Sequence, residues 1–158
     1  MKPKILVIGS TGKLGVKLLN FCSKKNISIF CITGFKNNKL LKTQSKKYNI
    51  KNFFKLSDVN QSLKFKFFLK NNKINIIYFL DYGYKSLLYA DIFLKNNKDS
   101  QIAIANKEMI IAGGYTLIDN ISSSNNKLIP LDSEHFSLLN NSFNNNDIKK
   151  IYITASGG

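Results

Sequence analysis

The only two glutamates of this 158-residue chain, Glu108 and Glu134, lie where carboxylates could do chemistry. Glu134 is separated by one residue from Asp132, just after a predicted strand over residues 127–131. Two carboxylates at the end of a parallel strand can both turn toward a hard divalent cation. In the structural alternative, Asp132 or Ser133 caps a short helix whose dipole favours Glu134 in its first turn. Spacing alone leaves a metal site and a helix cap open.

A glycine-rich turn, Gly-Ser-Thr-Gly-Lys-Leu-Gly over residues 9–15, connects the first predicted strand to the first predicted helix. Gly9 permits the tight turn, Gly12 lets backbone amides approach a pyrophosphate, and Gly15 allows the helix to pack closely on the strand. The turn therefore predicts a dinucleotide site at the helix N-terminus. The alternative is a ligand-free turn in which Ser10 and Thr11 act as capping residues.

The end of the second predicted strand reads Thr-Gly-Phe-Lys-Asn over residues 33–37 and lacks an acid. Domains that bind NAD usually place an Asp or Glu here to accept from the ribose hydroxyl. A neutral and basic loop instead suits the extra phosphate of NADP, with Lys36 as the cation and Asn37 as a hydrogen-bond partner. The alternative is that Lys36 is one of many solvated lysines.

Strands and helices alternate along the chain, which predicts a doubly wound α/β fold with a parallel sheet. The predicted strands cover residues 4–8, 28–33, 52–56, 74–80, 101–105, 127–131 and 149–154. The predicted helices cover residues 13–24, 39–48, 61–70, 85–96, 114–123 and 134–140. In such folds ligands bind at the carboxyl ends of the strands, where the glycine turn and Asp132 both lie.

All 24 basic residues are lysine, against 9 acidic residues, for a net charge of +15. Surfaces that recognise phosphates are expected to use some arginine, whose planar fork pairs phosphates bidentately. We therefore interpret the lysines as a solvated coat and expect no specific nucleic-acid partner, with a lysine-rich nucleic-acid binder as the weaker alternative.

The chain has no apolar run of the roughly 18–20 residues needed to span a membrane, and no secretory signal at its N-terminus. Its two cysteines, Cys22 and Cys31, are expected to be reduced thiols rather than part of a disulfide framework. These features predict a cytoplasmic protein.

Five segments together resemble successive motifs of 1-deoxy-D-xylulose 5-phosphate reductoisomerases, in the same order and with similar spacing. They are the glycine turn, Ala-Asn-Lys-Glu at residues 105–108, Ala-Gly at 112–113, Leu-Ile-Pro-Leu-Asp-Ser-Glu-His at 128–135, and Thr-Ala-Ser-Gly-Gly at 154–158. The resemblance covers essentially the whole chain. It implies a Rossmann-like NADPH-binding domain over residues 1–126 and the beginning of a catalytic and metal-binding domain over residues 127–158.

The resemblance implies an enzyme that isomerises 1-deoxy-D-xylulose 5-phosphate and reduces the product with NADPH, giving 2-C-methyl-D-erythritol 4-phosphate for isoprenoid synthesis by the non-mevalonate pathway. It also implies a divalent metal, Mg²⁺ or Mn²⁺, held by Asp132 and Glu134. Lys107, Ser133 and Ser156 would contact the phosphorylated sugar substrate. The implied cofactor-binding residues are Gly9, Thr11, Gly12, Lys13, Leu14, Gly34, Lys36, Asn37, Asn106 and Glu108.

The chain departs from the family pattern at two places. Lys13 and Leu14 stand where the family usually has Ser and Ile, and Asp-Tyr-Gly-Tyr at residues 81–84 replaces a small, Gly/Ala-rich turn. The family's third metal carboxylate, lid and substrate clamp are expected beyond Gly158, so the sequence predicts a truncated catalytic domain. We expect a homodimer by resemblance, with activity that needs a complementary C-terminal polypeptide. The alternative is a non-catalytic NADP-binding remnant.

Overall fold

The computed structural model describes residues 2–133, 136–137, 148–150 and 152. These residues contain six strands in one parallel sheet, with the order β3-β2-β1-β4-β5-β6. The strands are β1 (Ile5–Ile8), β2 (Cys31–Gly34), β3 (Asn52–Lys55), β4 (Ile76–Phe79), β5 (Gln101–Ile104) and β6 (Lys127–Pro130). The order reverses between β1 and β4, and such a switch point opens a crevice at the carboxyl ends of the strands.

Helices connect the strands and cover both faces of the sheet. They are α1 (Lys13–Lys24), α2 (Asn38–Lys47), α3 (Val59–Asn71), α4 (Leu87–Asn96) and α5 (Lys107–Ser123), with a short 3-10 helix (Tyr84–Ser86) before α4. The doubly wound α/β fold predicted from the sequence is thereby confirmed. No helix of the described residues is both long and apolar enough to cross a membrane.

The side chains of the sheet divide between two apolar clusters because neighbouring residues of a strand point to opposite faces. In β1, Leu6 and Ile8 pack with helices α3, α4 and α5, whereas Ile5 and Val7 pack with α1 and α2. The larger cluster contains stacked and edge-on aromatic rings around the fully buried Phe65. Burial on both faces explains why the strands read as continuous apolar runs.

The two cysteines are free thiols buried in the core, as the sequence predicted. Burial raises the pKa of both thiols, and raises that of Cys31, in β2, well above its usual value. Neither thiol is therefore a reactive thiolate at neutral pH.

One helix differs clearly from the sequence prediction. Helix α5 begins at Lys107, seven residues before the predicted start at Gly114. Gly114 lies inside the helix at φ +50°, where it kinks the helix axis. Of the predicted strand 149–154, the structure describes Lys149, Lys150 and Tyr152, none of them in a strand, and most of the predicted helix 134–140 lies outside the described residues.

Candidate functional site

The glycine turn after β1 has the geometry of a phosphate-binding loop. Gly9 adopts φ +83°, and a Cβ there would lie 2.5 Å from the backbone nitrogen of Asp81. A Cβ on Gly15 would lie 2.5 Å from the carbonyl oxygen of Gly9, which in turn accepts from Gly12 N at 3.1 Å. Only glycine fits at Gly9 and Gly15, because the turn packs against the end of β4 and against itself.

The N-terminus of α1 is not capped by a side chain, so the structure does not support the alternative in which Ser10 and Thr11 are capping residues. The Ser10 hydroxyl instead donates to Gln44 Oε1 at 2.9 Å, and Gln44 Nε2 donates to the Ser10 carbonyl at 2.8 Å. These bonds fasten the turn to α2. The backbone N–H groups that follow Gly12 therefore lack the side-chain acceptor that usually caps the start of a helix. The helix dipole favours an anion at this position.

A cleft of about 1200 Å³ opens at the carboxyl ends of β1, β2 and β4. Its walls are the glycine turn, the loop after β2, and the connection between β4 and α4. The predicted residues that it brings together are Gly9, Thr11, Gly12, Gly34, Lys36 and Asn37. Lys13 and Leu14 are not in this wall: Lys13 is exposed, and Leu14 lines a smaller apolar cavity of about 280 Å³ with Leu18 and Tyr78.

The end of β2 supplies polar groups of the kind that a dinucleotide needs. Thr33 lines the cleft and is fully buried, yet its Oγ1 has no hydrogen-bond partner. An orphaned buried hydroxyl is costly unless a ligand or water completes it. Asn37 caps α2 by accepting from Leu40 N at 3.0 Å, which leaves its amide nitrogen as a donor, and Lys36 is exposed beside it. These residues fit the adenosine half of a dinucleotide.

The connection between β4 and α4 is held by a polar network that the sequence did not predict. Asp81 accepts hydrogen bonds from Ser86 Oγ and, at 3.4 Å, from Asn106 Nδ2. Asn106 also donates to the Gly83 carbonyl at 2.9 Å and caps α5 by accepting from Met109 N at 3.0 Å. The buried amide of Asn106 therefore ties the β4–α4 connection to the start of α5.

Burial raises the pKa of the Asp81 carboxyl above its usual value, and the negative charge of Glu108 adds to this increase. The hydrogen bonds from Ser86 and Asn106 lower the pKa but do not cancel the increase. Neither Asn106 nor Glu108 lines the cleft itself. Asn106 is 1% exposed and acts on the loop, whereas Lys107 and Glu108 are exposed in the first turn of α5. The motif at residues 105–108 thus contributes a buried brace and two accessible charged side chains.

At the end of β6, Asp132 is 8% exposed and Ser133 is exposed. The Asp132 carbonyl accepts from Phe136 N at 3.0 Å, so a helical turn begins here. Glu134 and Ser156 lie outside the described residues. Within residues 2–133 and the short described segments that follow, no group of three or more His, Cys, Asp or Glu side chains could hold a metal ion. The described part of the predicted metal site is the single carboxylate of Asp132.

No family model matches the chain, but curated relatives carry the name of the family that the motifs resemble. The 1-deoxy-D-xylulose 5-phosphate reductoisomerase of Pelagibacter ubique is 37% identical over 98% of this chain and 45% of its own length. That of Malacoplasma penetrans is 35% identical over 99% of this chain and 42% of its own length. The chain therefore spans less than half the length of the curated relatives that it matches, and the resemblance read from the motifs is confirmed.

Solved structures show the same fold. A reductoisomerase from Zymomonas mobilis in complex with NADPH superposes with a TM-score of 0.71 at 21% identity, over 85% of this chain and 40% of that one. A reductoisomerase in complex with NADPH, fosmidomycin and magnesium gives a TM-score of 0.70 at 18% identity, over 84% of this chain and 37% of that one. At these identities the comparison establishes the architecture alone.

Proposed function

Because this chain is homologous, over nearly all its length, to the N-terminal part of 1-deoxy-D-xylulose 5-phosphate reductoisomerases, we propose that it is the NADPH-binding part of such an enzyme. The enzyme would convert 1-deoxy-D-xylulose 5-phosphate to 2-C-methyl-D-erythritol 4-phosphate for isoprenoid synthesis. The observation that carries the proposal is that the glycine turn and the acid-free, lysine-bearing end of β2 line the same cleft.

Each wall of the cleft has a distinct part in binding. The amides at the start of α1 hold the pyrophosphate, aided by the helix dipole and by the close approach that Gly9 and Gly12 allow. Lys36 and the amide of Asn37 bind the 2′-phosphate that distinguishes NADPH from NADH. Asn106 fixes the Gly83 carbonyl and Asp81, and thereby positions the loop beside the nicotinamide half.

Residues at the ends of β5 and β6 complete the proposal. Asp132 and Glu134 would hold Mg²⁺ or Mn²⁺, because hard cations prefer carboxylate oxygens. Lys107, Ser133 and Ser156 would bind the phosphorylated sugar. When bound, NADPH supplies the hydride and the cation polarises substrate oxygens. The chain's own residues bind and orient both reactants, which is worth several orders of magnitude in rate when the geometry is right.

The proposal includes an assembly. Residues 1–126 would be the NADPH-binding domain and residues 127–158 the beginning of the catalytic domain. Turnover would use further residues from a C-terminal polypeptide, and the complete enzyme would be a cytoplasmic homodimer. The free, buried Cys22 and Cys31 agree with a reducing compartment.

Calorimetric titration of the folded chain with NADPH and with NADH tests the proposal. We expect NADPH to bind more tightly than NADH. Lys36→Glu is expected to reduce the difference between the two affinities, because it places a negative charge beside the 2′-phosphate. Lys42→Glu, on the exposed side of α2 outside the cleft, is the matched control and is expected to leave the ratio of the two affinities unchanged. Equal titration curves for the two cofactors would contradict the proposal.

A further inference from the structure

A second lysine, Lys85, reaches the same end of the cleft as Lys36. It lies in the 3-10 helix before α4 and lines the cleft together with Phe35 and Lys36. Its Nζ is 5.3 Å from the centroid of the Phe35 ring, which is within the range of a cation–π contact. Because Phe35 directly precedes Lys36, this contact places the Lys85 ammonium group near the end of β2, on the other side of the cleft from the backbone of Lys85.

The backbone that presents Lys85 is held on both sides. Ser86 is buried, and its hydroxyl donates to the Asp81 carboxylate. On the other side, the Gly83 carbonyl accepts from Asn106 Nδ2 at 2.9 Å. A side chain that projects from fixed backbone has less freedom to lose when it meets a ligand, so its contact yields more of its energy as affinity.

Two lysines, Lys36 and Lys85, lie at this end of the cleft. Two carboxylates line the cleft: Asp91 pairs with Lys95 at 2.9 Å, and Asp81 accepts from Ser86 and Asn106. Neither is paired with Lys36 or Lys85. A phosphate monoester carries a charge of about −1.5 to −2 at pH 7. A lysine is a single point charge without the bidentate fork of arginine, so two lysines match such a group better than one.

We infer that Lys85 is a second cation for the 2′-phosphate of NADPH, and that on binding its ammonium group exchanges the Phe35 ring for a phosphate oxygen. The inference rests on the proposed NADPH-binding function. The inference adds a residue of the β4–α4 connection that selects NADPH over NADH. From the sequence, this selectivity was expected only in the loop after β2, on the opposite side of the cleft. The Phe35 ring holds the ammonium group over the cleft until the phosphate arrives.

The test is the variant Lys85→Met, which keeps an unbranched aliphatic stem of similar length and removes the charge. We expect the Kd for NADPH to rise about tenfold, as for loss of one charge-assisted phosphate contact, while the Kd for NADH changes less than about twofold. Lys64→Met on the exposed side of α3 removes the same unit of charge away from the cleft and corrects for long-range attraction. The double variant Lys36→Met/Lys85→Met is expected to lose most of the preference for NADPH.

The titrations separate the inference from the function on which it rests. If the unmodified chain prefers NADPH but Lys85→Met weakens both cofactors equally, or neither, then Lys85 does not read the 2′-phosphate and the inference is wrong. If the unmodified chain binds NADPH and NADH alike, the proposed function itself fails. Lys85 is exposed, so the variant should fold, and circular dichroism would verify this.

Discussion

Thr33→Val is expected to stabilise the unliganded protein and to weaken its complex with NADPH. Successive residues of β2 point to opposite faces of the sheet, so Thr33 shares a face with Cys31 and not with Ile32. Thr33 lines the cleft. Its Oγ1 is buried without a partner, and an unsatisfied buried hydroxyl costs about 1–3 kcal/mol. Valine has nearly the same shape and no hydroxyl, so the substitution removes this cost.

The size of both effects follows from the same hydroxyl. A gain of about 1 kcal/mol in the free energy of unfolding raises the Tm of a protein of this size by about 2–4 °C. If Oγ1 forms a hydrogen bond to the bound cofactor, its loss costs about 0.5–1.5 kcal/mol of binding, or about two- to tenfold in Kd. The two effects have opposite signs, which a merely packing role for Thr33 would not produce.

Thermal unfolding with and without NADPH, together with calorimetric titration, measures the two effects. Thr43→Val is the control, because the Thr43 hydroxyl is exposed on α2 and donates to the Lys39 carbonyl at 3.0 Å. A Thr33→Val protein that is less stable than the parent, or that binds NADPH equally well, would refute the assignment of Thr33 to the ligand.

Three further outcomes are expected. Gly15→Ala should lower stability by about 1–3 kcal/mol and abolish NADPH binding, because its Cβ would overlap the backbone of Gly9; unchanged urea midpoints and titrations would contradict the turn geometry. Burial raises the pKa of Asp81 in the folded protein, so the protonated carboxyl stabilises the fold below the unfolded pKa of about 3.8, and this stabilisation is lost as the pH rises through the folded pKa. Asp81→Asn should therefore raise the free energy of unfolding more at pH 7 than at pH 3, as measured by urea titration. Duplex DNA should bind weakly, without sequence preference, and with an affinity that falls steeply as salt rises, whereas tight discrimination from scrambled duplexes in gel-shift assays at physiological salt would revive a nucleic-acid function.

The fold was predictable where local patterns decide the structure. Helix α1 has the predicted bounds, because its apolar spacing and the preceding glycine turn act over a few residues. The start of α5 was missed because Gly113 and Gly114 look like a break, whereas the buried Asn106 caps the helix upstream. Gly114 only kinks the helix, at a positive φ that glycine tolerates.

The cofactor site was predictable only in part, for a different reason. The glycine turn and the end of β2 each carry a short signature, and both line the cleft. The brace between Asp81 and Asn106 joins residues 25 positions apart, and the contact of Lys85 with Phe35 crosses the cleft. No local pattern encodes such contacts, since they depend on how the β4–α4 connection packs against neighbouring strands.

The central claim is that this chain supplies the NADPH-binding part of a reductoisomerase, and one assay tests it most directly. The chain would be mixed with the remaining C-terminal portion of the Pelagibacter ubique relative, and NADPH oxidation measured with 1-deoxy-D-xylulose 5-phosphate and Mn²⁺. The relative's own two portions, mixed in the same way, establish that a divided enzyme works. We expect substrate-dependent oxidation that neither portion gives alone and that Glu134→Gln abolishes. The claim would be contradicted if the relative's own two portions were active together while this chain bound NADPH but its mixture oxidised none. That result would favour a non-catalytic NADP-binding protein.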